Sequence, residues 1–294
     1  MEQLMVNKHA YLIMCHDHFS QLKMLLSLLD DKRNDIYIHV DKKAVFPISS
    51  QDQYKPMHAS ITWIKRENVG WGGYSQVKTE IRLLKEAVKH EHLYYHLISG
   101  VDLPLKTQDE IHAFFEAHKG EEFISIEAST VDGFNADDRV LYFRLFQDYI
   151  GRNTIGFSSF LRRVEALSLK IQKTLGIKRK VGCVLYKGAN WFSITHKMSN
   201  YLLSREKDIR RLFRYGLGVD EMFLQTISMQ SPYASSISRC RTRMIDWNRG
   251  RPYIWKSEDK EELLSSEALF ARKFDSEVCC EIINDICGRL KNQK

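Results

Sequence analysis

Two carboxylates stand side by side, Asp220 and Glu221, in the stretch GVDEMFLQTI from Gly218 to Ile227. Acids at the start of an amphipathic helix meet the positive end of its dipole, so one reading makes both of them helix-start residues. The other makes one of them a general base, a carboxylate within hydrogen-bond reach of a hydroxyl proton. Further polar groups follow hydrophobic runs: CHDH (Cys15–His18), HVDKK (His39–Lys43) and SGVDLPL (Ser99–Leu105). A lone histidine in such a place, His16, is either a ligand or a hydrogen-bonded structural residue. The Gly-rich VGWGGYS (Val69–Ser75) precedes a helical pattern but lacks the spacing of a phosphate loop. Either its backbone approaches a flat ligand on which Trp71 or Tyr74 stacks, or it is a turn around a buried tryptophan. Neither G-x-G-x-x-G nor the Walker loop occurs, which argues against a dehydrogenase or a P-loop enzyme.

The elements that must position these groups alternate. AYLIMC (10–15), DIYIHV (35–40), ITWI (61–64), YYHLIS (94–99) and EFISI (122–126) read as short, buried strands. Between them lie helical patterns. Gln21–Leu29 is Leu-rich, and Val77, Ile81, Leu84 and Val88 share one helical face. Thr107 with Glu110 forms a capping box. Strand–helix alternation predicts an α/β fold with a mostly parallel sheet, whose ligands bind beyond the carboxyl ends of the strands. The second half is less regular. It carries a helix with a basic face over 155–175, strands at WFSIT (191–195) and MIDW (244–247), and helices at HKMSNYLLS, SEDKEELLSS and SEVCCEIINDICGRL. No linker divides the 294 residues, so one domain is expected, with 1–127 as a nucleotide-binding half and 128–294 as an acceptor-binding and catalytic half.

Charge and cysteines narrow the class. The net charge of +7 favours anionic partners, and basic residues concentrate between Arg139 and Lys180 (Arg144, Arg152, Arg162, Arg163, Lys170, Lys173, Lys178, Arg179). That stretch is either a solvated face or a patch for an anionic acceptor or membrane. The six cysteines form no C-x-x-C pair, so free thiols in a reducing cytoplasm are expected and a zinc site is not. No run of about 20 apolar residues exists, and the first residues read as a strand, not a signal peptide.

Seven segments occur in a telling order: IHVDKK, WGGYSQVKTEIRLL, YYHLISGVDLPLKTQDEI, GANWFSIT, GVDEMFLQTI, MIDW and ALFARKFD. Together they resemble the family of core-2/I-branching β-1,6-N-acetylglucosaminyltransferases and peptide O-xylosyltransferases. The resemblance spans about residues 10 to 276 and thins over 128–185. It implies a GT-A-type fold with a Rossmann-like sheet, and an inverting enzyme that uses a UDP-sugar. Most GT-A enzymes hold the diphosphate through a metal on a D-x-D motif. This sequence has no D-x-D, and the family dispenses with the metal, setting basic side chains against the charge that grows on the leaving phosphate.

The resemblance implies roles residue by residue. Glu221, second of the acid pair, is the base, and Asp220 is the helix cap. Lys273 of ARKFD holds the diphosphate together with Arg251 of DWNRGRPYIW, for which Arg249 is a rival. Met14, His16, Asp41 and Trp71 match nucleotide-contacting positions, and Asp102 and Asp220 lie in the vicinity of the donor sugar. No metal is expected. N-acetylglucosamine is the expected sugar, with xylose and glucuronic acid as alternatives within the family. A surface glycan or lipid-linked glycan is the expected acceptor, and the expected place is the cytoplasm, with a peripheral anionic-membrane contact through 157–175. There Phe157, Phe160, Leu161, Val164, Leu167, Leu169 and Ile171 interleave with Arg162, Arg163 and Lys170, as in interfacial helices. A helix packed on its own domain is the competing reading. A non-catalytic module binding nucleic acid or membrane is the alternative of another class. The basic residues follow no nucleic-acid-binding motif, so no nucleic acid is expected.

Overall fold

A computed structural model describes residues 7–46, 48–127, 136–151 and 156–293. In chain order the elements are β1 (His9–Cys15), α1 (Phe19–Leu28), β2 (Asn34–Val40), β3 (Ser60–Trp63), α2 (Tyr74–Ala87), β4 (Tyr94–Ser99), β5 (Leu103–Pro104), α3 (Gln108–Ala117) and β6 (Phe123–Ile124). There follow α4 (Ala136–Leu141), α5 (Gln147–Ile150), α6 (Phe157–Thr174), β7 (Phe192–Thr195), α7 (His196–Ser204), α8 (Glu206–Phe213), α9 (Phe223–Met229), β8 (Arg243–Ile245), α10 (Lys260–Ser265), β9 (Phe270–Arg272) and α11 (Cys280–Asn292).

The central sheet has the order β3-β2-β1-β4-β7-β6. β3, β2, β1 and β4 run parallel, as the buried apolar runs of β1, β2 and β4 predict, while at one side β7 pairs antiparallel with both β4 and β6. This is the α/β architecture with a mostly parallel central sheet flanked by helices. Strand alternation sorts the core into two layers. Tyr11, Ile13, Ile36, Ile38 and Ile98 point towards α1, α3 and α11, whereas Ala10, Leu12, Tyr37, Tyr95 and Leu97 point towards α2, α7 and α9. Met14, in the same alternation, packs on the α2 and α9 side. Thr107 and Glu110 form the capping box on α3.

Of a second, three-stranded sheet, β5-β9-β8, only β8 was apparent from the sequence, as the strand at MIDW. Its strands are two or three residues long, too short to show a period of two. Its anchor is Arg243, partly buried, which donates to Phe192 O (2.9 Å) and Ser193 Oγ (3.0 Å) and lies over the Phe270 ring. Burial lowers its pKa to about 10. This small sheet brings β9, and with it Lys273, to the carboxyl edge of β4: Phe274 N donates to Val101 O at 3.0 Å.

The GVDEMFLQTI segment departs from the expected single helix. Val219–Glu221 form a 3₁₀ turn, Met222 breaks it at φ −133°, and α9 begins at Phe223. Gly218 opens the turn at φ +59°, a conformation that favours glycine, and a Cβ there would come within 2.8 Å of Arg139 Nη1.

Candidate active site

Three strand ends form the floor. Beyond β1, His16 is exposed and its Nε2 lies 3.2 Å from Asp17 Oδ2. That hydrogen bond with His16 leads the causes that hold the Asp17 carboxyl below its ordinary pKa, and nearby Lys273 adds to them. His18 turns the chain into α1 with φ +47°, an uncommon conformation for a residue with a side chain. Beyond β2, Asp41 is buried: its N–H donates to Cys15 O (2.9 Å) and its Oδ1 accepts from Lys43 N (2.9 Å). Arg66 clasps this loop through the carbonyls of Asp41, Lys42, Ala44 and Phe46. His39 Nε2 accepts from Glu67 N at 3.0 Å, and burial brings its pKa down to about 4, so it is a neutral, structural imidazole.

Beyond β4, Asp102 is 3% exposed and fully engaged. Its Oδ2 accepts from Ser99 N (2.9 Å), and its Oδ1 from Ser99 Oγ and Arg272 Nη1 (both 2.7 Å). Arg272 in turn lies 4.2 Å over the Trp191 ring. Asp102 is thus a buried anchor that fixes the residue next to Lys273. Lys273 is half-buried, and no carboxylate forms an ion pair with it among the described residues.

Arg249 and Arg251 are told apart by their partners. Arg249 contacts Asp246, Asp259 (2.6 Å) and Glu262 (2.9 Å), and its guanidinium stacks over Tyr253 and Trp255. Such a guanidinium is committed to holding its own loop. Arg251 is exposed, with no ion pair among the described residues.

The catalytic pair is likewise divided. Glu221 is half-buried, and its Oε2 lies 2.8 Å from Arg139 Nη1. Asp220 does not stand at an N-cap position: Gly218 opens the 3₁₀ turn and Met222 opens α9. Its Oδ2 accepts instead from Gln76 Nε2 at 3.2 Å. Burial, and then the charge of Glu221, push its carboxyl up to about 7. Behind it sits Glu80, wholly buried, one oxygen accepting from Asn190 Nδ2 (3.0 Å) and the other unpartnered among the described residues. Burial and Asp220 raise Glu80 well above the usual carboxylate range, so it is a neutral acid. Asn190 thereby ties Glu80 to the segment whose next residue, Trp191, carries Arg272.

Two glycines of VGWGGYS make room for protein. A Cβ on Gly70 would lie 2.2 Å from Asp148 O, and one on Gly73 2.0 Å from Asp148 Oδ1. Asp148 Oδ1 accepts from Ser75 N (2.9 Å) and Ser75 Oγ (2.7 Å), capping α2 from across the chain. Trp71 is not a buried turn residue; it is 51% exposed. Gly218 N donates to Gly72 O (2.7 Å), joining the Trp71 loop to the Glu221 turn. On the other side Gly188 N donates to Glu221 O (3.0 Å), and a Cβ on Gly188 would collide with Ser125 O at 1.8 Å.

Arg139, Arg272, Glu80, Asn190 and Gln76 escaped the sequence reading as site residues. Arg139 stood out only as the first of a basic run, and the others read as ordinary helix or loop positions. Arg152 of that run lies outside the described residues. Among the described residues no group of three or more His, Cys, Asp or Glu is placed to hold a metal ion.

The model of the Core-2/I-Branching enzyme family matches residues 9–263. Similar proteins include Xylosyltransferase 2 of Rattus norvegicus, 23% identical over 301 residues, covering 93% of this chain and 32% of the relative. Xylosyltransferase 1 of the same species is 22% identical over 312 residues, covering 94% and 35%. The chain thus spans about a third of the length of the curated relatives it matches. Among solved structures, the apo form of mouse xyloside xylosyltransferase 1 aligns at TM-score 0.39 and 9% identity, over 90% of this chain and 96% of that one.

Proposed function

The chain belongs to the Core-2/I-branching enzyme family of glycosyltransferases, and we propose that it moves a sugar from a UDP-sugar to an acceptor hydroxyl with inversion, giving a β linkage. The observation that carries this reading is the division among its charged groups. Arg249 and Asp102 are bound up in the fold, while Arg251, Lys273 and one edge of Glu221 remain available.

Glu221 takes the acceptor proton as the hydroxyl oxygen attacks the anomeric carbon from the face opposite UDP. Arg139 holds that carboxylate in place. Lys273 and Arg251 meet the charge that grows on the β-phosphate, in the role a metal fills elsewhere. Met14, His16, Asp41 and Trp71 surround the nucleotide. Met14 and Trp71 offer apolar surface to the base, and Asp41 keeps one carboxylate oxygen near the exposed rim, 3.7 Å from Lys43 Nζ. Asp102 acts on the donor through Arg272 and its neighbour Lys273, not by touching the sugar. The transferred sugar is N-acetylglucosamine; the names of the relatives favour xylose as the second reading.

The acceptor is a lipid-linked glycan, reached with α6 against an anionic membrane. In support, Phe157, Phe160, Leu167 and Ile171 are exposed along α6, with Arg163 and Lys170 exposed beside them. No helix among the described residues is long and apolar enough to cross a membrane.

A panel of UDP-sugars tests the reading through thermal stabilisation and turnover in excess EDTA. UDP-N-acetylglucosamine is expected to be turned over, with the β anomer seen first by NMR. Strict dependence on Mn²⁺, or an α product, refutes it. Flotation with anionic liposomes tests the α6 contact; equal recovery with neutral liposomes refutes that part.

A further inference from the structure

A depression of about 200 Å³ opens between α5 and the loop after α8, apart from the strand-end floor. It holds about six or seven waters at roughly 30 Å³ each, room for one small polar ring and not for a chain. Its walls include Arg144, Arg214, Tyr74, Tyr149, Tyr215 and Gln147.

Two cations and three aromatic rings therefore face one small space. The one acid in the wall, Asp148, is already engaged by the N-terminus of α2. Arg144 is half-buried, and its Nε is enclosed without an acceptor among the described residues. Burial lowers its pKa, against the opposing charges of Glu165 and Asp138. A cation in that setting is stabilised by an arriving anion. Arg214 is exposed and lies 5.1 Å over the Tyr215 ring.

The depression adjoins the Glu221 turn. Gln147 Nε2 donates to Trp71 O (3.0 Å), and the next residue, Gly72, accepts from Gly218 N (2.7 Å). Arg144 N donates to Tyr215 O (2.8 Å) and ties the two walls together. The geometry points to a subsite for a negatively charged sugar of the acceptor, bearing a carboxylate or a phosphate. The two arginines take the anionic group, and a tyrosine ring lies under the sugar face. The assignment rests on the glycosyl-transfer reading for the word acceptor, but its binding chemistry can be tested independently.

The probes are methyl β-glucuronide, methyl β-glucoside and the 6-phosphate of the latter, titrated into the full chain with UDP present and followed by saturation-transfer NMR. An acidic probe is expected to bind on the order of ten-fold more tightly than the neutral one, the effect of one charge-assisted hydrogen bond. Which acid is preferred identifies the source of the charge. Arg214→Gln, an exposed change, is expected to erase the preference while UDP-induced stabilisation is unchanged, and Tyr149→Ala to weaken all three probes. Equal binding of acidic and neutral probes, or a preference that survives both Arg214→Gln and Arg144→Gln, overturns the subsite. Acid preference in a chain that UDP fails to stabilise supports the subsite and contradicts the transfer reading.

Discussion

Asp102→Asn is nearly isosteric and tests whether this acid is an anchor. The carboxylate accepts three hydrogen bonds, from Ser99 N, Ser99 Oγ and Arg272 Nη1. An amide has a single acceptor oxygen, so in either orientation its NH₂ faces a donor and at least one contact is lost. The Arg272 guanidinium also loses its only carboxylate partner among the described residues. A hydrogen bond to a charged group contributes about 1.5–3 kcal/mol, and removing one member of a buried pair costs more, about 3–5 kcal/mol. Arg272 is partly exposed and keeps its stacking on Trp191, which favours the lower end. The expected loss is about 2–4 kcal/mol by urea unfolding. A double-mutant cycle with Arg272→Gln should give a coupling of about 1–3 kcal/mol. Because Lys273 follows Arg272 in the chain, UDP affinity should fall with both single mutants. Stability within about 0.5 kcal/mol of the parent, or additive mutants, would refute the anchor.

The two arginines of the 246–262 loop should behave oppositely. Arg251→Gln is expected to weaken UDP binding with little change in melting temperature, whereas Arg249→Gln lowers the melting temperature first; calorimetry with and without UDP separates them. Asp220 has its folded-state pKa raised to about 7, with burial as the first cause. Its protonated form is favoured in the fold, so its stabilising contribution is complete below the unfolded value near 4 and is lost as pH rises towards 7. Asp220→Asn should flatten stability between those limits, and an unchanged pH profile would count against this assignment. Gly188→Ala places a Cβ 1.8 Å from Ser125 O, and a loss of about 2 kcal/mol or more is expected in a denaturation curve.

The parallel core was legible because β1, β2 and β4 are apolar runs buried on both faces, and α2 carries an uninterrupted helical period. The strand ends bearing Met14, His16, Asp41 and Asp102 followed from that topology. Of the second sheet only β8 was legible, in MIDW, since Leu103–Pro104 and Phe270–Arg272 are too short to carry a pattern. The acid pair misled at Asp220, where the dipole argument suits any helix start. Only the chain's path shows that Gln76 and Glu80 stand opposite it. The glycines of WGGYS announced a close approach, but the partner, Asp148, lies 75 residues beyond Gly73 in a stretch with little family resemblance. Likewise the choice between Arg249 and Arg251 lies in three carboxylates from two segments, Asp246 on one side and Asp259 and Glu262 on the other.

The central claim is that Glu221 is the base of a sugar transfer. The most direct measurement compares UDP-sugar turnover by Glu221→Gln and the parent in excess EDTA, with UDP affinity read by calorimetry on the same samples. Turnover is expected to fall roughly 10²–10⁴-fold, with UDP affinity essentially retained. Turnover at the parent rate by Glu221→Gln would contradict it.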